Sequence, residues 1–257
     1  MGPRLHVPAA ELALDGESFA LNEGASRHLQ VLRSQPGDPV RVFDGEGHEW
    51  QGVVTEMGRK VVRLRLGERV DNDRELGVRV TLAVGMPAND RMDALVEKAT
   101  ELGVFSIQPL VCARSVLRLD GDRAIKKVAH WQGVAAAASE QCGRAVVPRV
   151  HPVNTLQGWL KEQADALREQ GGRCSGVLSL SPEAVPVRHW LADRSAAPEG
   201  ACSVWVFLSG PEGGLAPEEE ALATALGWQA VSLGRRVLRA DTAPLAVLSV
   251  LGAHLGG

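Results

Sequence analysis

Residues 204–214 read Val204-Trp205-Val206-Phe207-Leu208-Ser209-Gly210-Pro211-Glu212-Gly213-Gly214. The apolar half has the length and composition of a buried strand. The glycine-rich half ends it. Leu215-Ala216-Pro217-Glu218-Glu219-Glu220 then opens a helix, with proline early and carboxylates in its first turn. A second short strand, Gln229-Ala230-Val231-Ser232-Leu233, stops at Gly234, and an apolar helix runs from Thr242 to Leu255. Two strand ends therefore release into two glycine-bearing loops, each feeding a helix. In open α/β sheets ligands bind beyond the carboxyl ends of strands, and glycine lets main-chain N–H and C=O groups approach a ligand closely. The pattern predicts a small-molecule site built largely from backbone.

The same alternation extends upstream. Val78 to Val84 reads as a strand and Asp90 to Leu102 as a helix, with Met92, Leu95, Val96, Ala99 and Leu102 on one face. Asp90 caps its start and Gly103 its end. Phe105 to Val111 is the next strand. Ala124 to Cys142 is a second helix with Val128, Trp131, Ala135 and Ala138 inward. Thr155 to Gln170 is helical and closes at Gly171-Gly172, and Gly176 to Leu180 is strand-like. Residues 181–203, rich in Pro, Ala and charge, read as a short helix and an exposed loop. Strands alternating with helices predict a parallel α/β sheet. Residues 1–70 differ. Turns at Gln35-Pro36-Gly37-Asp38 and Asp44-Gly45-Glu46-Gly47 separate short alternating runs, which predicts a small β-barrel. Arg27 to Arg33 is a short helical or extended piece. The polar stretch 71–77 reads as a linker between domains 1–70 and 78–257.

Composition sets limits. With 257 residues, 45% hydrophobic and 23% charged, the chain suits one large or two modest globular domains. Tyrosine is absent and only 4% of residues are aromatic, which argues against a base-stacking platform. A net charge of −3 argues against indiscriminate nucleic-acid binding, while leaving room for a local basic patch. Cys112, Cys142, Cys174 and Cys202 form no Cys-x-x-Cys pair. They are expected to be reduced, mostly buried thiols in a cytoplasmic protein, neither a zinc site nor a disulfide framework. The N-terminal residues lack the charged-then-apolar pattern expected of a signal peptide, and no run of 18 apolar residues appears. The seven histidines show no metal-ligand spacing, and Ser209 lacks the Gly-x-Ser-x-Gly elbow of a hydrolase. The dinucleotide fingerprint and the P-loop lysine are also missing.

Four motifs in order carry a resemblance. These are Arg91-Met92-Asp93 with Lys98-Ala99-Thr100-Glu101-Leu102-Gly103-Val104; Glu140-Gln141-Cys142-Gly143-Arg144; Gly210-Pro211-Glu212-Gly213-Gly214; and Leu233-Gly234 through Val237-Leu238-Arg239 to Asp241-Thr242-Ala243. Each has a plain reading on its own: an amphipathic helix with a surface Lys98–Glu101 pair, a solvated arginine past a helix end, a turn before a capped helix, and a core helix start. Together they resemble the RsmE family of bacterial methyltransferases, of the SPOUT class. The stretch His28-Leu29 to Phe43-Asp44-Gly45 resembles that family's PUA-like N-terminal domain. The chain departs from the family pattern at Ala88, Arg235, Ala240 and Asp241, where lysine, proline, threonine and glutamate are frequent.

The resemblance implies a C-terminal parallel sheet tied in a trefoil knot with helices on both faces, preceded by a PUA-like, RNA-binding β-barrel. It implies S-adenosylmethionine as methyl donor and N3 of a uridine in 16S ribosomal RNA as acceptor, in a homodimer joined through the C-terminal domain, with no metal and no membrane. It places the donor among Leu208, Gly210, Glu212, Gly213, Gly214, Leu233, Gly234, Val237 and Leu238. Arg239 and then Arg144 are the candidates for charge stabilisation, and Arg33, Arg41, Lys60, Arg91 and Arg144 for RNA. Two other readings stand beside it: a SPOUT enzyme acting on another RNA or target atom, and a non-catalytic RNA-binding assembly protein.

Overall fold

The structure is a computed structural model that describes residues 2–88, 91–169, 173–195 and 202–255. By contact the chain divides into two compact units, one of residues 1–75 with 136–147 and the other of residues 76–135 with 148–257. This differs from a single boundary at 71–77, because twelve residues from the middle of the chain belong with the first unit.

In the first unit lie β1 (Arg4–His6), β2 (Ser18–Ala20), α1 (Glu23–Val31), β3 (Pro39–Phe43), β4 (Glu49–Met57) and β5 (Val62–Val70). They make a five-stranded sheet in the order β1-β3-β4-β5-β2, antiparallel except for β1 beside β3. Period-two alternation decides the faces. Val40 and Val42, and then Val62, Leu64 and Leu66, turn into one core with Leu5, Phe19 and Leu29. Between them Arg63 is half-buried and Arg65 exposed. Asn22 caps α1 by accepting the Ala25 N–H at 3.0 Å, and the ambiguous 27–33 segment is helical through Val31 and then turns at Arg33, φ 58°.

Residues 136–147 are held in this unit by charge and main chain. The Arg4 guanidinium donates to the carbonyls of Ser139 (2.9 Å), Glu140 (3.2 Å) and Arg144 (3.1 Å), and to the Glu49 carboxylate at 3.0 Å. Ser139 and Glu140 lie in the last turn of a helix, where carbonyls lack intrahelical partners. The Val147 N–H donates to Gly45 O at 2.9 Å and the Gly47 N–H to Ala145 O at 3.1 Å.

The second unit holds β6 (Arg79–Gly85), α2 (Arg91–Glu101), β7 (Ser106–Val111), α3 (Gly121–Cys142, its last turns counted with the first unit), β8 (Arg149–Val150), β9 (Asn154–Thr155), α4 (Leu156–Glu169), β10 (Arg173–Leu178), β11 (Val185–Pro186), α5 (Val187–Ser195), β12 (Val204–Ser209), α6 (Pro217–Ala225), β13 (Gln229–Ser232) and α7 (Thr242–Leu255). The sheet order is β11-β13-β10-β12-β6-β7-β8, with β9 also on β7, and every pairing is parallel. β12 sits at the centre, which is why it reads as an unbroken apolar run. Val206 and Leu208 face α4 and α6 with Trp159, Leu160 and Trp228. Trp205 and Phe207 face the other way, where the Trp190 ring of α5 meets them edge-on at 5.3 and 5.9 Å. On that side α7 packs against β12 and β6 and against α2 and α5. Helices therefore cover both faces. The expected Asp90 cap and Gly171-Gly172 stop fall outside the described residues.

The cysteines depart from the expectation of four separate thiols. Cys174 and Cys202 are joined as a disulfide, with Cα atoms 5.8 Å apart. Their 28-residue separation conceals a contact that the β10–β12 pairing creates. Cys112 is buried and Cys142 half-buried, and both are free.

Glu49 gives this architecture a pH signature. Burial alone would raise its carboxyl, but hydrogen bonds from Arg4 and Asn72 and the charges of Arg4 and Arg41 outweigh burial and hold it below the ordinary 4.5. A lowered folded value means that the stabilisation is fully present above 4.5 and is lost as pH falls through that lowered value. Glu49→Gln is expected to cost about 1–3 kcal/mol at pH 7. Thermal unfolding across pH should show this gap closing in acid, and a gap constant down to pH 3 would contradict the assignment.

Candidate functional site

The carboxyl ends of β10, β12 and β13 open onto one cavity of about 620 Å³. Leu178 ends β10 and Ser179 to Ser181 follow it, Gly210 to Leu215 follow β12, and Leu233, Gly234 and Arg236 to Ala240 follow β13. The middle loop is shaped by absent side chains. A Cβ on Gly210 would lie 2.6 Å from the Leu215 nitrogen and 2.7 Å from the Gly214 carbonyl carbon. A Cβ on Gly85, the last residue of β6, would lie 2.5 Å from Pro211 Cδ. The loop thus folds back on itself and seats its proline over a bare strand end. Gly214 at φ 70° and Gly234 at φ 108° take backbone conformations that side-chain-bearing residues rarely adopt.

Carboxylates tie the loop to its neighbours. Glu212 accepts the Ala88 N–H at 2.9 Å and lies 3.6 Å from the Arg91 guanidinium. Because residue 88 acts through its main chain, alanine there suffices for this contact. Glu219 accepts the Ala216 N–H at 2.9 Å, capping α6, and its other oxygen accepts the Ala113 N–H at 2.7 Å. The turn after β7 is closed by the Cys112 N–H to Ser115 Oγ at 2.9 Å. It presents Arg114, whose Nη1 donates to Gly213 O at 3.1 Å. Burial, with the Glu219 charge next, pushes the Cys112 thiol up to about 12, so no thiolate nucleophile stands here at neutral pH. Arg91, Arg114, Arg236 and Arg239 line the cavity against two carboxylates, Glu212 and Glu220.

A model of the RNA methyltransferase domain matches residues 74–252, and one of the RNA methyltransferase PUA domain matches residues 21–66. Ribosomal RNA small subunit methyltransferase E of Bacillus subtilis is 31% identical over 238 residues, 92% of this chain and 90% of that one. The chain belongs to the ribosomal RNA small subunit methyltransferase E family. A crystal structure of the family's protein from Neisseria gonorrhoeae, bound to S-adenosyl methionine, matches with a TM-score of 0.85 at 31% identity, covering 99% of this chain and 98% of that one. A Legionella pneumophila protein in complex with the bound cofactor SAM matches with a TM-score of 0.85 at 28% identity, again covering 99% and 98%.

Of the residues that the family resemblance nominated, Gly210, Glu212, Gly213, Gly214, Leu233, Gly234, Val237, Leu238, Arg239 and Arg91 all line the cavity. Leu208 does not; it is fully buried in the core under α4 and α6. Arg144 does not either. It is 3% exposed, in the first unit, with its Nη2 2.5 Å from Glu75. Arg33 and Lys60 are exposed in that unit, and Arg41 is half-buried, 4.0 Å from Glu49. Sequence reasoning missed Arg114, Arg236 and the 178–181 strand end. The last was readable as a strand terminus, whereas the other two looked like ordinary surface arginines. Among the described residues, no group of three or more His, Cys, Asp or Glu side chains could hold a metal ion, and no helix is long and apolar enough to cross a membrane.

The Gly210 contacts are with backbone, so the loop must shift to admit a methyl group. Gly210→Ala is expected to cost about 1–3 kcal/mol and to weaken binding of S-adenosylmethionine about tenfold or more, read by calorimetry. Gly133, exposed in α3 with nothing within 4 Å of its would-be Cβ, is the control. Gly133→Ala should stabilise by about 0.5–1 kcal/mol and leave donor affinity unchanged.

Proposed function

We propose that this chain transfers a methyl group from S-adenosylmethionine to N3 of a uridine in small-subunit (16S) ribosomal RNA. The observation that carries this reading is the cavity built from glycine loops at three strand ends, in a chain of a family whose N. gonorrhoeae member is solved with that donor. The residues present suit the donor. Bare positions at Gly210, Gly213, Gly214 and Gly234 leave main-chain groups open to it, and Leu233, Val237 and Leu238 offer apolar contact. Leu208 supports the loop from behind, and Glu212 shapes it through Ala88 and Arg91. The strand order β13-β10-β12-β6 supports the knotted arrangement that the family resemblance implies.

When bound, the donor supplies an electrophilic methyl group on a sulfonium. The protein's task is alignment of the acceptor nitrogen with it. Uridine N3 carries a proton, and as that proton leaves, negative charge spreads onto the two flanking carbonyl oxygens. Arg239 is exposed at the cavity and its guanidinium stabilises this charge. Its carbonyl meanwhile accepts the Thr242 and Ala243 N–H groups, both at 3.0 Å, which fixes its backbone at the start of α7. Arg33 and Lys60 of the first unit contact RNA phosphates, and the substrate sets the place of action in the cytoplasm. Arg144, paired to Glu75, shapes the first unit.

The test is to map N3-methyluridine in small-subunit ribosomal RNA from cells lacking and then regaining this protein. One site should vanish and return. Rescue with Arg239→Ala should lower kcat about 100–1,000-fold with donor affinity unchanged. A modification that persists in the deletion would reject the uridine assignment.

The assembly is a homodimer through the C-terminal unit. α7 buries Pro244, Val247, Leu248 and Leu251 on one side, while Val250 stays 38% exposed and Ala253 is exposed on the other. A helix apolar all round needs cover on both sides. Val250→Glu should shift the protein from dimer to monomer in sedimentation, and an unchanged dimer would move the interface elsewhere.

A further inference from the structure

Among the described residues, three of the four arginines lining the cavity have no carboxylate partner. Arg91 is answered by Glu212 at 3.6 Å. Among the described residues, no carboxylate lies within 4.0 Å of Arg114, Arg236 or Arg239. All three are exposed and line the same cavity, in a chain whose net charge is −3. Like charges gathered on one rim repel one another, so their concentration here calls for an anion from outside the chain. Arg114 is also presented rather than loose. Its turn is closed by Ser115 on Cys112 and tethered by Glu219 on Ala113, and one of its own donors is fixed on Gly213 O. A guanidinium carries five N–H donors, so one bond to a carbonyl leaves the others free for a ligand.

We propose that Arg114 and Arg236 form, with Arg239, an anion subsite on the cavity rim that takes RNA phosphodiester beside the target base. The proposal rests on the RNA methyltransferase reading and adds two contacts to it. The donor's own carboxylate is the competing anion. It fits less well, because it travels with an ammonium and a sulfonium, so the donor is a net cation that three unpaired guanidinium groups repel. A polyanion gains from all three. Planar guanidinium forks also match phosphate oxygens in geometry. The subsite assigns the division of labour at one cavity: backbone for the donor, arginine for the RNA.

The test measures binding of a full-length 16S ribosomal RNA transcript, across a series of salt concentrations, to the intact protein and to Arg236→Ala, Arg114→Ala and Arg114→Lys. Each alanine variant should weaken binding about three- to tenfold near physiological salt and flatten the plot of log K against log salt by about 0.7–0.9 per lost contact. Affinity for S-adenosylmethionine should stay within about twofold for Arg236→Ala, which gives up no contact to the glycine loop. Arg114→Lys keeps the charge and should keep the salt slope, which separates charge from folding; melting temperatures check that all variants are folded. Unchanged slopes in both alanine variants overturn the subsite. Lost donor affinity with an intact RNA slope also overturns it, since the anion would then be the donor's carboxylate. If the unaltered protein binds no ribosomal RNA at all, the substrate reading fails first and the subsite with it.

Discussion

The tightest constraint in the second unit is that the chain after β12 must turn back on itself where a single methyl group would not fit. Gly210 lies against the Leu215 amide and the Gly214 carbonyl carbon, at distances that a Cβ would reduce to 2.6 and 2.7 Å. Gly85 repeats the condition one strand away, where Pro211 occupies the space of its missing side chain. Both contacts are with backbone or a ring, neither of which yields cheaply. The loop can therefore take this path only because the central strand ends beside a bare neighbour. The cavity beyond the strand ends follows from that path.

Carboxylates then do the holding while arginines do the facing. Glu212 and Glu219 reach from the loop and from α6 to main-chain N–H groups at Ala88 and Ala113, each tying a neighbouring segment to the site. Bonds of this kind spend negative charge on internal structure. The positive charge around the cavity is spent only in part, on Glu212 by Arg91 and on a carbonyl by Arg114. A similar internal use of charge organises the first unit, where Arg4 gathers three carbonyls and the Glu49 carboxylate. There a buried cation is nearly saturated, with its side chain 10% exposed, and is a structural group. Saturation is what distinguishes it from the arginines of the cavity.

Much of this was legible from residue order. β12 betrayed itself as a central strand because burial on both faces demands an unbroken apolar run, and the α2 face followed from helical spacing of Met92, Leu95, Val96 and Ala99, all buried. Glycine positions pointed to the loops, since few residues tolerate such paths. What stayed hidden depends on contacts distant in sequence. Nothing near Ser139 signals that Arg4 will cap its carbonyl 135 residues away. Cys174 and Cys202 meet only because β10 and β12 pair, and Leu208 looked like a cavity residue until its side of the sheet was known. Arg144 shows the limit of motif reasoning. Its motif identified the family, yet its side chain is buried against Glu75, a role that residue type alone does not separate from RNA contact.

The proposed division at the cavity, backbone for the donor and arginine for the RNA, bears on the positions where the chain departs from the pattern that the resemblance leads one to expect. A site that holds its small ligand through backbone constrains path, not side-chain identity. Positions where path matters are glycine here, and Ala88 contributes an N–H that any residue except proline carries. Recognition through charge constrains side chains and leaves the path free. Arg114, Arg236 and Arg239 come from two different loops, and among the described residues only Arg114 of the three has its guanidinium held by a hydrogen bond, to Gly213 O. Where the resemblance leads one to expect proline, Arg235 leaves its own φ free and adds an exposed cation to the loop that already carries Arg236 and Arg239. The added charge is favourable to a polyanion, which is the direction expected if the β13 loop meets RNA as proposed.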